Sequence, residues 1–208
     1  MKDKTHQLWT KQDVHQGDRW RLFRAVGKAV NAENVLYPGC YVDIAPSFVF
    51  PAVTYVDVDG RGPGFFGDQE GVLEIVSSHD DAPSGPDIRF IHSDYTHDLD
   101  LPDQAFDLLV SLYAGFVSEH CTNHLRIGGT LLVNPSHGDA AMASIDSRYK
   151  LTGVVISSSG HYRVNSTDLD TYLVPKKPVD VTSEMLHRLG RGIGYTKSPF
   201  AYLYRRVR

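Results

Sequence analysis

The sequence lacks several features that would assign it quickly to a protein class. None of its apolar runs approaches the roughly 20 residues that a membrane-spanning helix needs. Its first residues, MKDKTHQLWTKQD, lack the apolar segment of a secretory signal. Only two cysteines are present, Cys40 and Cys121, and neither belongs to a C-x-x-C pair. We therefore expect a cytoplasmic protein without a disulfide framework.

The sequence also lacks a large excess of charge of either sign. The chain has 21 lysines and arginines against 25 aspartates and glutamates, a formal net charge of −4. Nucleic-acid-binding domains are usually basic, so the composition disfavours that class of partner. Hydrophobic residues make up 41% of the 208 residues, enough for one domain with a packed core. We expect a loose N-terminal arm over 1–17 and a single domain over 18–208.

Apolar segments with strand and helix periodicity alternate over the first two-thirds of the chain. Strands are predicted at 34–38, 52–59, 87–94, 105–115 and 129–136, and helices at 18–31, 64–79, 115–129 and 138–146. This alternation indicates a parallel sheet with helices on both faces. The last third differs, because its patterns predict a hairpin at 151–164, a helix at 182–190 and a final strand at 200–207.

Several motifs follow one another in an order that is typical of a known superfamily. A glycine turn follows the first strand, an acid ends the second, and HSDYT follows the third. FDLLVS forms the fourth strand, and LRIGGTLLV leads into the fifth. Over about 20–158 and the last strand, the chain resembles class I S-adenosylmethionine-dependent methyltransferases. The resemblance implies a three-layer α/β sandwich, a Rossmann-like methyltransferase fold whose mostly parallel sheet has an antiparallel C-terminal strand.

The resemblance also implies S-adenosylmethionine as the cofactor. In open α/β sheets, ligands bind beyond the carboxyl ends of the strands, where the strand order reverses. Asp57, at the tip of the second strand, is predicted to accept hydrogen bonds from both ribose hydroxyls, with Asp59 as its rival. By resemblance, Asp94 would accept from the adenine amino group and Tyr95 would cover the ring. Capping of a local turn is the alternative role for both Asp57 and Asp94.

The glycine turn departs from the superfamily pattern E/D-x-G-x-G-x-G. The chain has Tyr37-Pro38-Gly39-Cys40-Tyr41-Val42-Asp43, which keeps only the first glycine. In one interpretation, Asp43 and the backbone around Cys40 bind the charged amino-acid end of the cofactor. In the other, cofactor binding is lost and the fold is a non-catalytic ligand-binding or protein-interaction module. A dinucleotide dehydrogenase is disfavoured, because no G-x-G-x-x-G follows the first strand.

The first crossover is also expected to be short. Only about a dozen residues separate Asp43 from the second strand, and Pro46 and Pro51 lie among them. Proline is acceptable in a first helical turn but stops a helix further on. We therefore expect one or two helical turns at most.

Substrate-side residues are expected where the fourth and fifth strands end. Asn134, His137 and Asp139, in NPSHGD, are predicted to position a nucleophile or take its proton, because histidine titrates near neutral pH. A turn with a helix cap is the alternative role of this segment. By resemblance, Ser111 would line the cofactor and Tyr113 would face the substrate.

Two further motifs carry weaker predictions. His120 and His124 have the i, i+4 spacing of metal ligands, but no third ligand cluster is evident, so no metal site is predicted. LGRGIGY, 189–195, follows a helix rather than a strand, so it is interpreted as a connector or as a lid over the substrate. The sequence as a whole predicts methyl transfer to a small molecule or protein side chain.

Overall fold

The computed structural model describes all residues from 1 to 208 and contains one eight-stranded sheet. The strands are β1 (Asn34–Pro38), β2 (Ala52–Asp57), β3 (Asp87–His92), β4 (Phe106–Ser111), β5 (Leu125–Val133), β6 (Tyr149–Ser158), β7 (His161–Asn165) and β8 (Ala201–Arg206). Their order across the sheet is β3-β2-β1-β4-β5-β8-β6-β7. The strand order therefore reverses between β1 and β4, which is where an open α/β sheet forms its ligand crevice.

Seven α-helices accompany the sheet. They are α1 (Asp3–Gln12), α2 (Asp18–Gly27), α3 (Gly62–Phe66), α4 (Gln69–Ser77), α5 (Val117–Cys121), α6 (Asp139–Ile145) and α7 (Ser183–Leu189). None of these helices has the length and hydropathy needed to cross a membrane.

Successive residues of the central strands enter different hydrophobic cores, because side chains alternate across a strand. Val35 and Tyr37 of β1 pack in a cluster with α1 to α4, whereas Leu36 packs in a second cluster with α5 and α6. Helices thus cover both faces of the sheet, and the apolar runs of β1 and β4 are buried on both sides. This arrangement is the three-layer sandwich that the sequence predicts.

Strand directions divide the sheet into two parts. β1 runs parallel to β2 and β4, and the pairs β2–β3 and β4–β5 are also parallel. β8 is antiparallel to both β5 and β6, and β7 completes an antiparallel hairpin with β6. The predicted mostly parallel sheet with an antiparallel C-terminal strand is confirmed. The short first crossover is also confirmed, as a single 3-10 segment, Ala45–Phe48, with Pro46 in its first turn.

The N-terminal residues differ from the expected loose arm, because α1 packs against the domain. Thr5 and Leu8 are buried. The Asp68 carboxylate accepts hydrogen bonds from the Lys2 backbone N–H and the Thr5 hydroxyl, both at 2.7 Å. The Trp9 ring lies edge-on to Phe48, with 5.6 Å between the ring centroids. These long-range contacts hold a segment whose local sequence is largely polar.

Two predicted helices are shorter than expected. The helix predicted over 115–129 is limited to α5 and a 3-10 turn, Thr122–His124, since β5 already begins at Leu125. Leu125 pairs with Phe106 at the start of β4, so sheet pairing overrides the helical periodicity. The helix predicted over 64–79 is divided into α3 and α4 by Gly67 and Asp68.

Candidate functional site

The turn after β1 and the end of β2 meet at the carboxyl edge of the sheet. The Tyr41 N–H donates to Asp57 Oδ2 at 2.6 Å, and the Asp59 N–H donates to Asp57 Oδ1 at 2.7 Å. The Asp57 carboxylate therefore holds both its own turn and the turn after β1. Each of its oxygens keeps capacity for a further hydrogen bond, since a carboxylate offers about four acceptor positions.

Gly39 allows the segment after β4 to lie directly on the turn after β1. Its φ is +68°, and its N–H donates to the Val56 carbonyl at 2.8 Å. A Cβ atom at position 39 would lie 2.7 Å from the Cβ of Ala114. Glycine is required here both for the left-handed backbone and for this close approach. The crevice between β1 and β4 is closed at this contact.

The side chain of Tyr41 is half-buried, and the guanidinium of Arg61 lies over its ring. Tyr41 has a φ of +52°, and the Arg61 guanidinium carbon lies 4.6 Å from its ring centroid. Arg61 also forms two hydrogen bonds with Asp59, at 2.8 and 2.6 Å. These bonds lower the pKa of Asp59 to about 2. Asp59, the rival of Asp57, is thus paired with Arg61 and remains ionised.

Asp43 is buried beneath the turn. Its carboxylate accepts from the Tyr37 hydroxyl at 3.2 Å and from the Ala45 N–H at 3.1 Å. The Arg19 Nε lies 3.7 Å from Asp43 Oδ2. Burial raises the pKa of Asp43, and the nearby Arg19 charge opposes that shift. Asp43 therefore contacts the core and α2.

Pro38 and Cys40 are also buried. The Cys40 thiol lies 3.7 Å from the Val56 carbonyl, and burial raises its pKa well above the ordinary value. A thiol with a raised pKa stays neutral, so Cys40 has no nucleophilic character here. Backbone groups and the half-buried Tyr41 side chain are the parts of this turn that remain candidates for ligand contact.

Arg19, in the first turn of α2, is a charged residue of this edge that no sequence motif singled out. Its guanidinium carbon lies 4.7 Å from the Tyr113 ring centroid, and its Nη1 is buried without a hydrogen-bond partner. It lines a cavity of about 320 Å³ together with Gln12, Asp13, His15, Asp18 and Tyr113. A buried donor without a partner is uncommon in folded proteins and requires an explanation.

The two acids that line this cavity with Arg19 accept hydrogen bonds from other residues. Asp13 Oδ1 accepts from the Gly17 N–H at 2.7 Å, and Asp18 Oδ2 accepts from the Tyr162 hydroxyl at 2.8 Å. The inward-facing position of Arg19 could have been predicted from its spacing along the helix. It precedes the fully buried Leu22 and Phe23 by three and four residues, which places all three on one helix face.

Asp94 and Tyr95 follow β3 but have different surroundings. Asp94 Oδ1 accepts from the Thr96 N–H at 2.9 Å and from its hydroxyl at 2.8 Å, and these bonds lower the pKa of Asp94. The Tyr95 hydroxyl accepts from the Gly115 N–H at 3.0 Å. A Cβ at Gly39 would lie 3.9 Å from Tyr95 Cε1, so the tyrosine ring borders the turn after β1.

Asn134 and Tyr113 are brought together at the ends of β5 and β4. Asn134 is buried, and its Oδ1 accepts from the Tyr113 N–H at 3.2 Å and from the Ser136 hydroxyl at 2.8 Å. The same hydroxyl lies 2.7 Å from Nδ1 of the exposed His137. The Tyr113 side chain is 50% exposed. These contacts form a polar chain that runs from the end of β4 to an accessible imidazole.

Ser111 faces the core rather than the crevice. Its hydroxyl donates to Asp139 Oδ2 at 2.6 Å, and the N–H and hydroxyl of Ser118 also donate to Asp139. Burial raises the pKa of Asp139 to about 6, against these hydrogen bonds. This buried carboxyl links β4, α5 and α6. Asp139 is therefore bound to Ser111 and Ser118 inside the protein, away from the accessible His137 with which the sequence grouped it.

The glycine-rich segment 189–195 lies on the loop that contains Asn134 and His137. A Cβ at Gly192 would clash with the Pro135 carbonyl oxygen, and a Cβ at Gly138 would lie 3.3 Å from the Arg191 carbonyl oxygen. Two glycines thus permit a backbone-to-backbone contact between distant segments. This segment covers one side of the NPSHGD loop.

His120, in α5, and His124, in the 3-10 turn that follows it, have separate surroundings. The His120 ring lies 6.2 Å from the Tyr95 ring centroid, whereas His124 Nδ1 lies 3.3 Å from the Pro102 carbonyl oxygen. The structure contains no group of three or more side chains that could hold a metal ion.

Comparison with known proteins gives structural similarity without sequence similarity. No protein-family model matches the chain, and no curated protein matches its sequence. The N-methyltransferase NodS of Bradyrhizobium japonicum is 14% identical, covers 96% of this chain and 99% of its own, and has a TM-score of 0.48. The tRNA (m1A58) methyltransferase TrmI of Aquifex aeolicus is 13% identical, with coverages of 91% and 69% and a TM-score of 0.48.

A third solved structure, the YcgJ protein of Bacillus subtilis, is 15% identical, with coverages of 59% and 54% and a TM-score of 0.41. The chain spans about half the length of YcgJ, 54%, and of the cyclase SpnF, 44%. At these values the likenesses concern architecture only, and the assignment of the fold rests on the order and direction of the strands. By that topology, the chain has a Rossmann-like α/β fold with an open, mostly parallel sheet.

Proposed function

We propose that the protein binds S-adenosylmethionine at the carboxyl edge of the sheet and transfers its methyl group to a small molecule or protein side chain. The observation that carries this proposal is Arg19, whose side chain lines a cavity beside Tyr113 at the end of β4 and whose buried Nη1 has no hydrogen-bond partner. A guanidinium is well suited to bind a carboxylate, because it presents several donors in a fixed plane. Arg19 would hold the carboxylate of the cofactor.

Asp57, Asp94 and Tyr95 retain their predicted roles within this proposal. Asp57 has acceptor capacity left for ribose hydroxyls, and its carboxylate is fixed by two backbone N–H groups. Asp94 and Tyr95 would contact the adenine. The backbone of the turn from Tyr37 to Asp43 would border the cofactor, whereas the side chains of Asp43 and Ser111 would support it from below.

When bound, S-adenosylmethionine supplies an electrophilic methyl group on a sulfonium. The residues of the chain would then position the acceptor and take its proton, which is most of what methyl transfer demands. Tyr113 would form one wall for the acceptor. His137, accessible and linked through Ser136 to Asn134, would accept the proton. We place this reaction in the cytoplasm.

Calorimetric titration with S-adenosylmethionine and S-adenosylhomocysteine tests the proposal. We expect saturable binding below about 1 mM, and a loss of about tenfold or more, which is ~1.4 kcal/mol, for Arg19→Gln and for Asp57→Ala. Asp107→Asn is the matched control, because Asp107 accepts from the Glu33 and Asn34 N–H groups at the opposite edge of the sheet. Absence of binding at roughly 1 mM ligand would contradict the proposal.

The second candidate function is a non-catalytic binding or interaction module on the same fold. The contact between Gly39 and Ala114 favours it, because this contact closes the crevice above the turn. If the contact between Gly39 and Ala114 is all that limits access to the crevice, Ala114→Gly should increase the affinity for S-adenosylhomocysteine. If neither the wild type nor Ala114→Gly binds the ligand, the non-catalytic function is the one to retain.

A further inference from the structure

A second cavity lies between the two segments that flank α7, residues 176–179 before the helix and residues 189–194 at and after its end. Its volume is about 420 Å³, within the range of small-molecule sites. Its lining residues are Lys176, Lys177, Val179, Leu189, Arg191, Gly192, Ile193 and Gly194. None of them belongs to the residues predicted to bind the cofactor or to carry out catalysis.

The charges of this cavity are all of one sign. Lys176, Lys177 and Arg191 line it, and no acidic side chain does. None of the three cations takes part in an ion pair. The chain as a whole has a formal net charge of −4, so this concentration of positive charge runs against the general balance. Three unpaired cations around one concavity attract an anion.

The rest of the lining is apolar. The side chains of Val179 and Leu189 are 41% and 42% exposed, and Ile193 lies beside them. The aliphatic stem of Lys176 adds to this surface, because its Cδ lies 3.6 Å from the position that a Cβ at Gly194 would occupy. Water-exposed apolar area is covered favourably by an apolar group of a ligand.

The cavity is built on ordered contacts. The Lys176 N–H donates to the Gly194 carbonyl, and the Thr196 N–H donates to the Val174 carbonyl, both at 2.8 Å. α7 is anchored by Leu186, which is buried in a cluster with Met142 of α6. The two walls are therefore joined to each other by backbone hydrogen bonds, and α7 is joined to the domain by its packing against α6.

We propose that this cavity binds a small amphiphilic anion, a molecule with a phosphate or carboxylate head and an apolar chain. Lys176, Lys177 and Arg191 bind the head, and the chain lies against Val179 and Leu189. A nucleic-acid strand fits less well, because no aromatic side chain lines the cavity for base stacking. The proposal does not depend on the methyl transfer proposed above, because it requires no cofactor, although Arg191 and Gly192 also contact the NPSHGD loop.

Calorimetric titration of the full chain with octyl phosphate, below its micelle-forming concentration, tests the proposal. We expect saturable one-to-one binding that weakens at least tenfold in the triple variant Lys176→Gln, Lys177→Gln, Arg191→Gln. The matched control is Lys4→Gln, Lys11→Gln, Lys28→Gln, which removes three exposed cations elsewhere and should leave the affinity unchanged. Equal weakening in both triple variants would overturn a specific site.

Three further ligands separate the contributions of head and chain. Inorganic phosphate should bind at least tenfold more weakly than octyl phosphate, and Leu189→Ser should weaken octyl phosphate binding without changing phosphate binding. Single-stranded RNA and vesicles of anionic phospholipid are the competing ligands. If either binds through the three cations while octyl phosphate does not, or if octyl phosphate does not bind at all, the proposal is wrong.

Discussion

Asp139 shows how one buried carboxyl organises three elements. Its exposed fraction is 1%, and it accepts hydrogen bonds from Ser111 at the end of β4 and from Ser118 in α5. No cation contributes to these hydrogen bonds, so burial dominates and its pKa rises from 3.8 to about 6. The neighbouring Glu119 adds to the shift in the same direction. A raised pKa in the folded state makes stability depend on pH.

We predict that Asp139 favours folding at low pH. Because its pKa is higher in the folded than in the unfolded chain, its contribution is full below about pH 4 and is lost as the pH rises through about 6. The free energy of unfolding of the wild type, relative to Asp139→Asn, should fall by up to about 3 kcal/mol over that interval. Urea denaturation at several pH values measures this difference.

Asp94→Asn is a control for which the pH dependence of the free energy of unfolding should have the opposite sign. The pKa of Asp94 is lowered by the Thr96 N–H and hydroxyl, so its contribution is present above its unfolded pKa and is lost on acidification. A difference between the wild type and Asp139→Asn that is constant from about pH 4 to pH 7 would contradict the assignment to Asp139.

At the scale of elements, the turn after β1 depends on the absence of a side chain at Gly39. We predict that Gly39→Ala destabilises the protein by roughly 1–3 kcal/mol more than Gly85→Ala, because the added Cβ clashes with Ala114. Gly85 is a close match, with φ +67° against +68° and no atom within 4 Å of its Cβ position. The strain of a positive φ is thus common to both variants. Chemical denaturation measures each, and equal losses would contradict the close contact.

At the scale of the whole molecule, the two hydrophobic cores share one sheet. Leu109 of β4 is fully buried on the α5 and α6 face, opposite the face that carries Trp9 and Trp20. We predict that Leu109→Ala lowers the free energy of unfolding by about 2–5 kcal/mol. The midpoints by circular dichroism and by tryptophan fluorescence should shift together, because the sheet unfolds as one unit.

Ile127→Ala is the control for this prediction, since Ile127 is 53% exposed and should change stability by less than about 0.5 kcal/mol. Two separate midpoints in Leu109→Ala would show that the two faces unfold independently and that residues 18–208 are not one cooperative domain.

Strand positions were predictable because they depend on local patterns. β1, β2 and β4 are short apolar runs that end in a turn or an acid, and their alternation with helical segments is enough to indicate a parallel sheet. The shortness of the first crossover followed from Pro46 and Pro51, since proline acts on its own helix whatever surrounds it. Segments such as 115–129 were not predictable, because pairing between Leu125 and Phe106 decides between strand and helix.

Local patterns are enough to predict the alternating α/β order, the turn at Gly39 and the place of Asp57 at the tip of β2, because these depend on backbone propensity and periodicity. The contacts of the side chains follow only from the packing of the folded chain. It placed Arg19 beside Asp43 and Tyr113, turned Ser111 toward Asp139, and brought Ala114 onto Gly39. These contacts depend on burial and charge pairing between residues far apart in the chain, and no local sequence pattern indicates them.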